Sequence, residues 1–174
     1  MSGAECRAPG TDAAPTIAGV TPKSPADSLT ETVQYVLPND ANPLGYILGG
    51  TVMHLIDIAG AITAARHARV PIVTAAVDDL QFLHPIRVGD LIILRARVNA
   101  VFRTSMEVEV EVFSEETLTG ERRMTSRAYL TFVTVEEDGV RAPMPPLRLE
   151  TPQEQRRADE AGARRAERLK RRTR

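Results

Sequence analysis

Apolar and polar residues alternate loosely from Leu29 to Leu37, and Pro38 ends the run, which predicts a first strand. A turn cluster of Asn39, Asp40, Asn42, Pro43 and Gly45 follows. After Gly49 and Gly50 the texture changes. Thr51 to His67 holds no proline and is strongly apolar. Its apolar residues, Val52, Met53, Leu55, Ile56, Ile58, Ala59 and Ile62 among them, run around a helix instead of along one stripe. The pattern predicts a helix buried on most sides. Two polar residues, His54 and Asp57, stand inside that cylinder.

Beyond Pro71 the pattern is that of strands. Ile72–Phe82 and Leu91–Val101 are expected strands, separated by Pro85 and the turn Val88-Gly89-Asp90. Thr104 to Ser114 alternates cleanly, with Met106, Val108, Val110 and Val112 on one face and Glu107, Glu109 and Glu111 on the other. A hairpin loop at Thr117–Glu121 contains Gly120, and Met124 to Val135 forms the last strand with Ala128, Leu130 and Phe132 inward. Four of the five strands follow the helix without another helix between them. The expected class is therefore α+β: a largely antiparallel sheet, polar on one side, wrapped around one long helix. Pro143, Pro145 and Pro146 end this domain, taken as residues 28–148. Thr151-Pro152-Gln153-Glu154 then reads as a capping box with proline at the first helical position. The Arg-rich helix of residues 149–174 is read as solvated, with phosphate binding as the alternative. Residues 1–27 hold too few bulky apolar groups to offset ordering entropy and are read as a disordered leader, a docking tail being the alternative.

Composition narrows the function classes. Apolar residues make up 43% of the 174, enough for one core. A formal net charge of −1, with 4% aromatics and no Trp, points away from nucleic acid and from an anionic membrane. One cysteine, Cys6, allows no intrachain disulfide, and the histidines His54, His67 and His84 are scattered, so neither a disulfide framework nor a structural metal site is expected. No secretory signal and no bilayer-length apolar run is seen, and a cytoplasmic protein is expected.

The motifs are more specific than the plan. Asn42-Pro43-Leu44-Gly45, Leu48-Gly49-Gly50, Met53 and Ile56-Asp57-Ile58-Ala59-Gly60-Ala61 come in order. Val73-Thr74-Ala75-Ala76-Val77-Asp78, Phe82-Leu83-His84-Pro85-Ile86, Val88-Gly89-Asp90, Arg103-Thr104-Ser105-Met106-Glu107-Val108 and Thr131-Phe132-Val133 continue the series. Together they resemble the hotdog-fold acyl-CoA thioesterases, both the bacterial acyl-CoA hydrolases and the tandem-domain animal enzymes, over roughly residues 30 to 170. The Arg-rich C-terminal helix is a habit of the same family. The resemblance implies hydrolysis of acyl-CoA to CoA and a carboxylic acid without a further cofactor. It also implies that Gly49 is the amide donor, that Asn42 acts in the site, and that Thr74 and Arg103-Thr104-Ser105 contact substrate. Assembly is implied too: a homodimer as the catalytic unit, built into a trimer of dimers (a hexamer). Phe102 departs from the pattern, which has glycine before Arg103.

Thioester hydrolysis needs a base to handle water and a donor to hold the developing oxyanion. A carboxylate desolvated in an apolar helix suits the first role, so Asp57 is the candidate base. The alternative is a structural Asp57 paired with His54 one turn away, or a His54–Asp57 dyad; His54 is otherwise a helper. Gly49 and Gly50 at the helix start suit the second role, or simply make a tight turn. Asn42 could position water or the carbonyl, or satisfy loop backbone. Asp78 and Asp90 read as structural. A dehydratase or hydratase is a rival, but its catalytic histidine context is not found; a non-catalytic acyl-CoA-binding module is another. Gly49 and Asp57 lie on one helix roughly 12 Å apart along its axis, too far for one carbonyl to meet both. An antiparallel helix across a two-fold axis would bring one subunit's Gly49 opposite the other's Asp57, which predicts a shared site.

Overall fold

The computed structural model describes residues 21–135 and 141–172. Five strands, β1 (Thr30–Tyr35), β2 (Ile72–Phe82), β3 (Leu91–Val101), β4 (Ser105–Glu115) and β5 (Arg122–Thr134), form one antiparallel sheet in the order β1-β3-β4-β5-β2. Helix α1 (Gly49–Ala68) lies against its inner face, and α2 (Pro152–Arg172) follows the last strand. This is the hotdog plan the motifs implied. Alternation places Ile92, Leu94, Ala96 and Val98 of β3, Met106, Val108, Val110 and Val112 of β4, and Ala128, Leu130 and Phe132 of β5 in one core with Val52, Ile56, Ala59 and Ala64 of α1. Gly60 permits the close approach of α1 to β5: a methyl group there would stand 3.1 Å from Phe132 Cζ.

Three expectations are corrected. First, α1 is not buried on most sides within one chain. Its buried residues, Val52, Ile56, Ala59, Gly60, Thr63, Ala64, His67 and Ala68, form a single stripe. Met53 (49% exposed) and Ile58 (42%) lie open on the other side, together with His54 and Asp57. An all-round apolar pattern counts the surfaces a helix must bury, and one sheet supplies only one of them.

Second, the glutamate face of β4 does not meet solvent. Glu107 and Glu109 are buried, at 2% and 4% exposure. Third, α2 is not solvated on all sides, because it covers those glutamates. Arg164 binds Glu107 with two parallel hydrogen bonds, Nε to Oε2 at 3.0 Å and Nη2 to Oε1 at 2.7 Å, and its guanidinium stacks 3.8 Å from the Tyr129 ring centroid. Arg157 lies 3.6 Å from Glu109, and Arg168 bonds Asp78. Buried carboxylates persist only when paired in this way. The capping box forms as expected: Thr151 Oγ1 accepts from the Glu154 amide at 3.2 Å, and Glu154 Oε2 accepts from the Thr151 amide at 3.0 Å.

Part of the segment read as a disordered leader, residues 21–27, is also built into the fold. Lys23 accepts from the Arg148 amide at 2.8 Å and donates its own amide to Pro146 at 3.0 Å, while its ammonium reaches the His67 carbonyl at 2.7 Å and caps the end of α1. Residues 1–20, Cys6 among them, lie outside the described residues.

Gly60→Ala must displace the fully buried Phe132 ring, and should cost about 1–3 kcal/mol of stability in chemical denaturation. An unchanged denaturation midpoint would show that the ring yields freely.

Candidate functional site

The segment before α1 is organised by Asn42. Its side-chain Oδ1 accepts from the amides of Leu44 (3.0 Å) and Tyr46 (3.2 Å), and its backbone amide donates to Tyr46 O at 2.8 Å. These bonds occupy the carbonyl end and fix the amide flip, which leaves the Nδ2 group as the outward donor. The loop reading and the site reading of Asn42 are therefore compatible. The chain enters α1 through Leu48, whose amide is held by Asp40 O at 2.8 Å. As the N-cap residue, Leu48 has no side-chain oxygen to offer the helix. The Gly49, Gly50 and Thr51 amides thus lack both an intrahelical acceptor and a cap, and stand at the positive end of the dipole.

Asn42 and Gly49 line one cavity of about 320 Å³, walled by Tyr46, Phe82, His84 and Ser126 among others. A methyl group at Gly49 would stand 3.5 Å from the Phe82 ring, whereas Gly50 faces open space and does not line the cavity. Of the two glycines, only Gly49 lines this cavity. The sequence offered Phe82 and His84 within one of the motifs that carry the resemblance; their part in the cavity comes from the fold.

Asp57 lies elsewhere. It is exposed, and Thr74 Oγ1 of β2 donates to its Oδ1 at 2.7 Å. His54 does not pair with it, so neither the structural His54–Asp57 pair nor the dyad forms within the chain. Thr74, expected on the substrate, donates its hydroxyl to this carboxylate. The desolvation expected for Asp57 is also not supplied by one chain, because the face of α1 that carries it is uncovered.

The remaining candidates divide. Thr104 and Ser105 line a second cavity of about 350 Å³ with Ala75, Ala76, Thr131, Arg141, Arg165 and Arg168. Arg103 does not line it; its side chain is exposed and its carbonyl accepts from the Met144 amide at 3.0 Å. The unexpected ring of Phe102 lies under the guanidinium of Arg165, 4.4 Å from its centroid. Arg165 and Arg168 of this cavity belong to the Arg-rich helix, for which the sequence reading kept phosphate binding as the alternative; Arg141 lies before that helix and had no assigned part. Among the described residues no cluster of three metal-ligating side chains occurs, and no helix is long and apolar enough to cross a membrane.

The chain matches the thioesterase superfamily model over residues 44–121. It is 40% identical over 119 residues to an uncharacterized acyl-CoA thioester hydrolase of Bacillus subtilis, YkhA, covering 68% of this chain and 69% of that one. The human cytosolic acyl coenzyme A thioester hydrolase is 33% identical over 145 residues, which are 82% of this chain but 38% of the human one. Among solved structures, an apo-hexameric acyl-CoA thioesterase superposes with a TM-score of 0.83 at 41% identity, over 87% of this chain and 97% of that one. An acyl-CoA hydrolase from Staphylococcus aureus, solved in complex with butyryl coenzyme A, coenzyme A and coenzyme A disulfide, superposes with a TM-score of 0.80 at 34% identity, over 87% and 92%. That hydrolase was also solved with an asparagine, an aspartate and a threonine individually replaced by alanine, at the mutual spacings of Asn42, Asp57 and Thr74 in this chain.

Asn42→Ala removes the acceptor of two loop amides and should cost about 1–2 kcal/mol in denaturation. Asn42→Asp keeps an acceptor for both amides while replacing the NH2 donor by a second, charged oxygen, so its stability should stay closer to wild type. Equal losses in the two variants would show that the loop does not depend on this oxygen.

Proposed function

The chain belongs to the thioesterase superfamily, and we propose that it hydrolyses acyl-CoA to free CoA and a carboxylic acid, with Asp57 as general base and the Gly49 amide polarising the thioester carbonyl. One observation carries the reading. A single helix presents an uncapped N-terminus to a cavity at one end and, two turns on, a carboxylate oriented by Thr74 on its uncovered face. Those are the two groups that thioester hydrolysis needs, and the S. aureus mutant series draws attention to the same three residue types.

In the proposed reaction the thioester carbonyl accepts from the Gly49 amide, and Asn42 Nδ2 is the second donor within reach of the same cavity. Water held by Asp57 attacks the carbonyl carbon and passes a proton to the carboxylate. Negative charge gathers on the oxygen facing the helix N-terminus, where unsatisfied amides and the dipole lower its energy. The C–S bond then breaks, and the CoA sulfur leaves and takes up the proton. Each role is filled by a protein group or by water, and no step is routed through a metal or cofactor.

Two subunits share the site in this proposal. Gly49 and Asp57 are eight residues apart on α1, roughly 12 Å along the axis, and Asp57 does not line the Gly49 cavity. The open side of α1, with Met53 and Ile58, and the β2 edge, with Val73 (49% exposed) and Val77 (50%), form an uncovered apolar surface that Thr74 joins to Asp57. A second copy across a two-fold axis covers this surface, desolvates Asp57 and sets it opposite the partner subunit's Gly49. Further assembly of such dimers into a hexamer agrees with the neighbour described as hexameric.

Thiol release from acetyl-, butyryl- and longer acyl-CoAs is the first test. CoA binding with no thiol release would replace the hydrolase by a binding module. Asp57→Asn should lower kcat by a factor on the order of 10² or more, and Thr74→Val should lower it about tenfold with KM little changed, as expected for a base and its positioning residue. A rise in KM at constant kcat in Thr74→Val would return that residue to substrate binding.

The shared site is tested by co-expressing Asn42→Asp with Asp57→Asn. Random pairing makes half the dimers mixed, and each mixed dimer holds one intact site of two, so activity should recover to roughly a quarter of wild type. Activity no higher than that of the separate variants, in samples containing mixed dimers, would sink the arrangement.

A further inference from the structure

We propose that the Gly49 cavity takes a short acyl group with an oxygen on its chain, a hydroxyl or an oxo group, and that the Ser126 hydroxyl selects for it. The inference rests on the acyl-CoA reading above and deepens it by naming the substrate class. With the thioester carbonyl at the Gly49 amide, the acyl chain has the rest of the same cavity to fill. At about 320 Å³ that cavity is near the lower end of small-ligand pockets, roughly 300–1,000 Å³, so the chain it takes is short.

The lining sorts by depth. Phe82, Leu83, His84 and Pro85 are exposed and form the rim. Val52, Ile86 and Ser126 are buried and form the floor. The first two are what an alkyl chain needs; Ser126, at 1% exposure, is not. It pairs with Phe82 of β2 and Val112 of β4, and it shares the inward face of β5 with Ala128, Leu130 and Phe132. Its side chain therefore enters the cavity and not the outer face of the sheet. The hydroxyl makes no hydrogen bond with any described residue. Its neighbour Thr125 shows the contrast, for that hydroxyl donates to the Val112 carbonyl at 3.2 Å.

A buried hydroxyl without a partner loses the hydrogen bonds that water gave it, a penalty of roughly tenfold or more in an equilibrium. A plain alkyl chain pressed onto this floor imposes that loss, and an oxygen on the chain removes it. Serine donates to an oxo group, and donates to or accepts from a hydroxyl. The other polar groups are engaged or wet. Asn42 Oδ1 holds the Leu44 and Tyr46 amides, its Nδ2 is assigned to the carbonyl, and His84 stands at the exposed rim. Position agrees with chemistry. A methyl group on Gly49 would stand 3.5 Å from the Phe82 ring, and Ser126 is directly opposite Phe82 across the strands. Side chains opposite one another start about 4.5–5.5 Å apart. The hydroxyl thus serves an oxygen close to the carbonyl end of the chain, as on the third carbon. A site that hydrogen-bonds a substrate oxygen rejects the analogue lacking it more sharply than an apolar pocket separates two chain lengths.

The test measures thiol release from butyryl-, 3-hydroxybutyryl- and 3-oxobutyryl-CoA. In the wild type, kcat/KM should be about tenfold higher for at least one oxygen-bearing thioester than for butyryl-CoA. Ser126→Ala should bring that ratio close to one, chiefly by losing the oxygen-bearing substrate, and Ser126→Thr, which keeps the hydroxyl, should preserve it. Each ratio is taken on one preparation, so a partly unfolded variant does not alter it. A loss for both oxygenated substrates makes Ser126 a donor, and a loss for the hydroxyl alone makes it an acceptor; either supports the inference. Equal kcat/KM for all three in the wild type, a preference that survives in Ser126→Ala, or a loss there of the same size for all three overturns it. Should the wild type release no thiol from any acyl-CoA, the hydrolase reading falls and the thioesters stay intact. Calorimetry then gives their affinities: a tenfold preference lost in Ser126→Ala supports the pocket, and equal affinities overturn it.

Discussion

One helix with two apolar sides meets a sheet that covers only one of them, and most of the molecule follows from that mismatch. Val52, Ile56, Ala59 and Ala64 of α1 close the core, and Gly60 lets the helix approach Phe132 closely enough to do so. The opposite side keeps Met53 and Ile58 at 49% and 42% exposure, a state that soluble proteins resolve by association. Asp57 stands on this second side. Its carboxylate is accessible in the isolated chain and becomes desolvated only in the proposed dimer, where burial and proximity to the donor arrive together.

A second constraint sets the outer face. The glutamates of β4 alternate with core valines, so they cannot avoid the side of the sheet that α2 covers. Burying Glu107 at 2% exposure is tolerable only with the two-pronged contact of Arg164 and the amide of Asn99, which donates at 3.2 Å. The ion pairs therefore act less as net stability than as a register. Displacing α2 along the sheet by a turn would leave a buried carboxylate without its arginine, which is the costly outcome. The seat that satisfies Glu107, Glu109 and Asp78 is also the seat that carries Arg165 to Phe102.

Much of this was legible in the sequence, and the exceptions share a cause. Periodicity located α1 and all five strands to within two residues, because the helix and strand repeats differ and the turns carry Gly and Pro. The motif around Asp57 and Thr74 drew attention to both residues, but only the fold brought the threonine hydroxyl to 2.7 Å from the carboxylate. Alternation established that Glu107, Glu109 and Glu111 share a face, and could not say whether that face is wet. A polar stripe next to solvent and a polar stripe under a basic helix look the same along the chain. The resolving signal was present, though distant: the arginines of residues 157, 164 and 168 repeat at helical spacing, and their partners are Glu109 and Glu107 at strand spacing on β4 and Asp78 on β2. The composition of residues 21–27 likewise concealed an ordered segment, since Lys23 is held by backbone pairing with residues 146 and 148, which composition does not register.

The geometry of α1 also bears on why two subunits suit this chemistry. An amide donor is best placed at a helix N-terminus, where the backbone is unsatisfied; a general base needs a side chain held by a neighbouring strand. On one helix these demands conflict. Moving the carboxylate into the first turn would bring it to the oxyanion, but there its negative charge would occupy the same positive potential that the oxyanion requires. In the proposed reaction, keeping it two turns away leaves the N-terminal field for the substrate, and the proposed two-fold axis bridges the distance that results. In the proposed dimer two antiparallel copies of α1 present each N-terminus to the other's carboxylate, so the separation that disables a site within one chain creates two between chains.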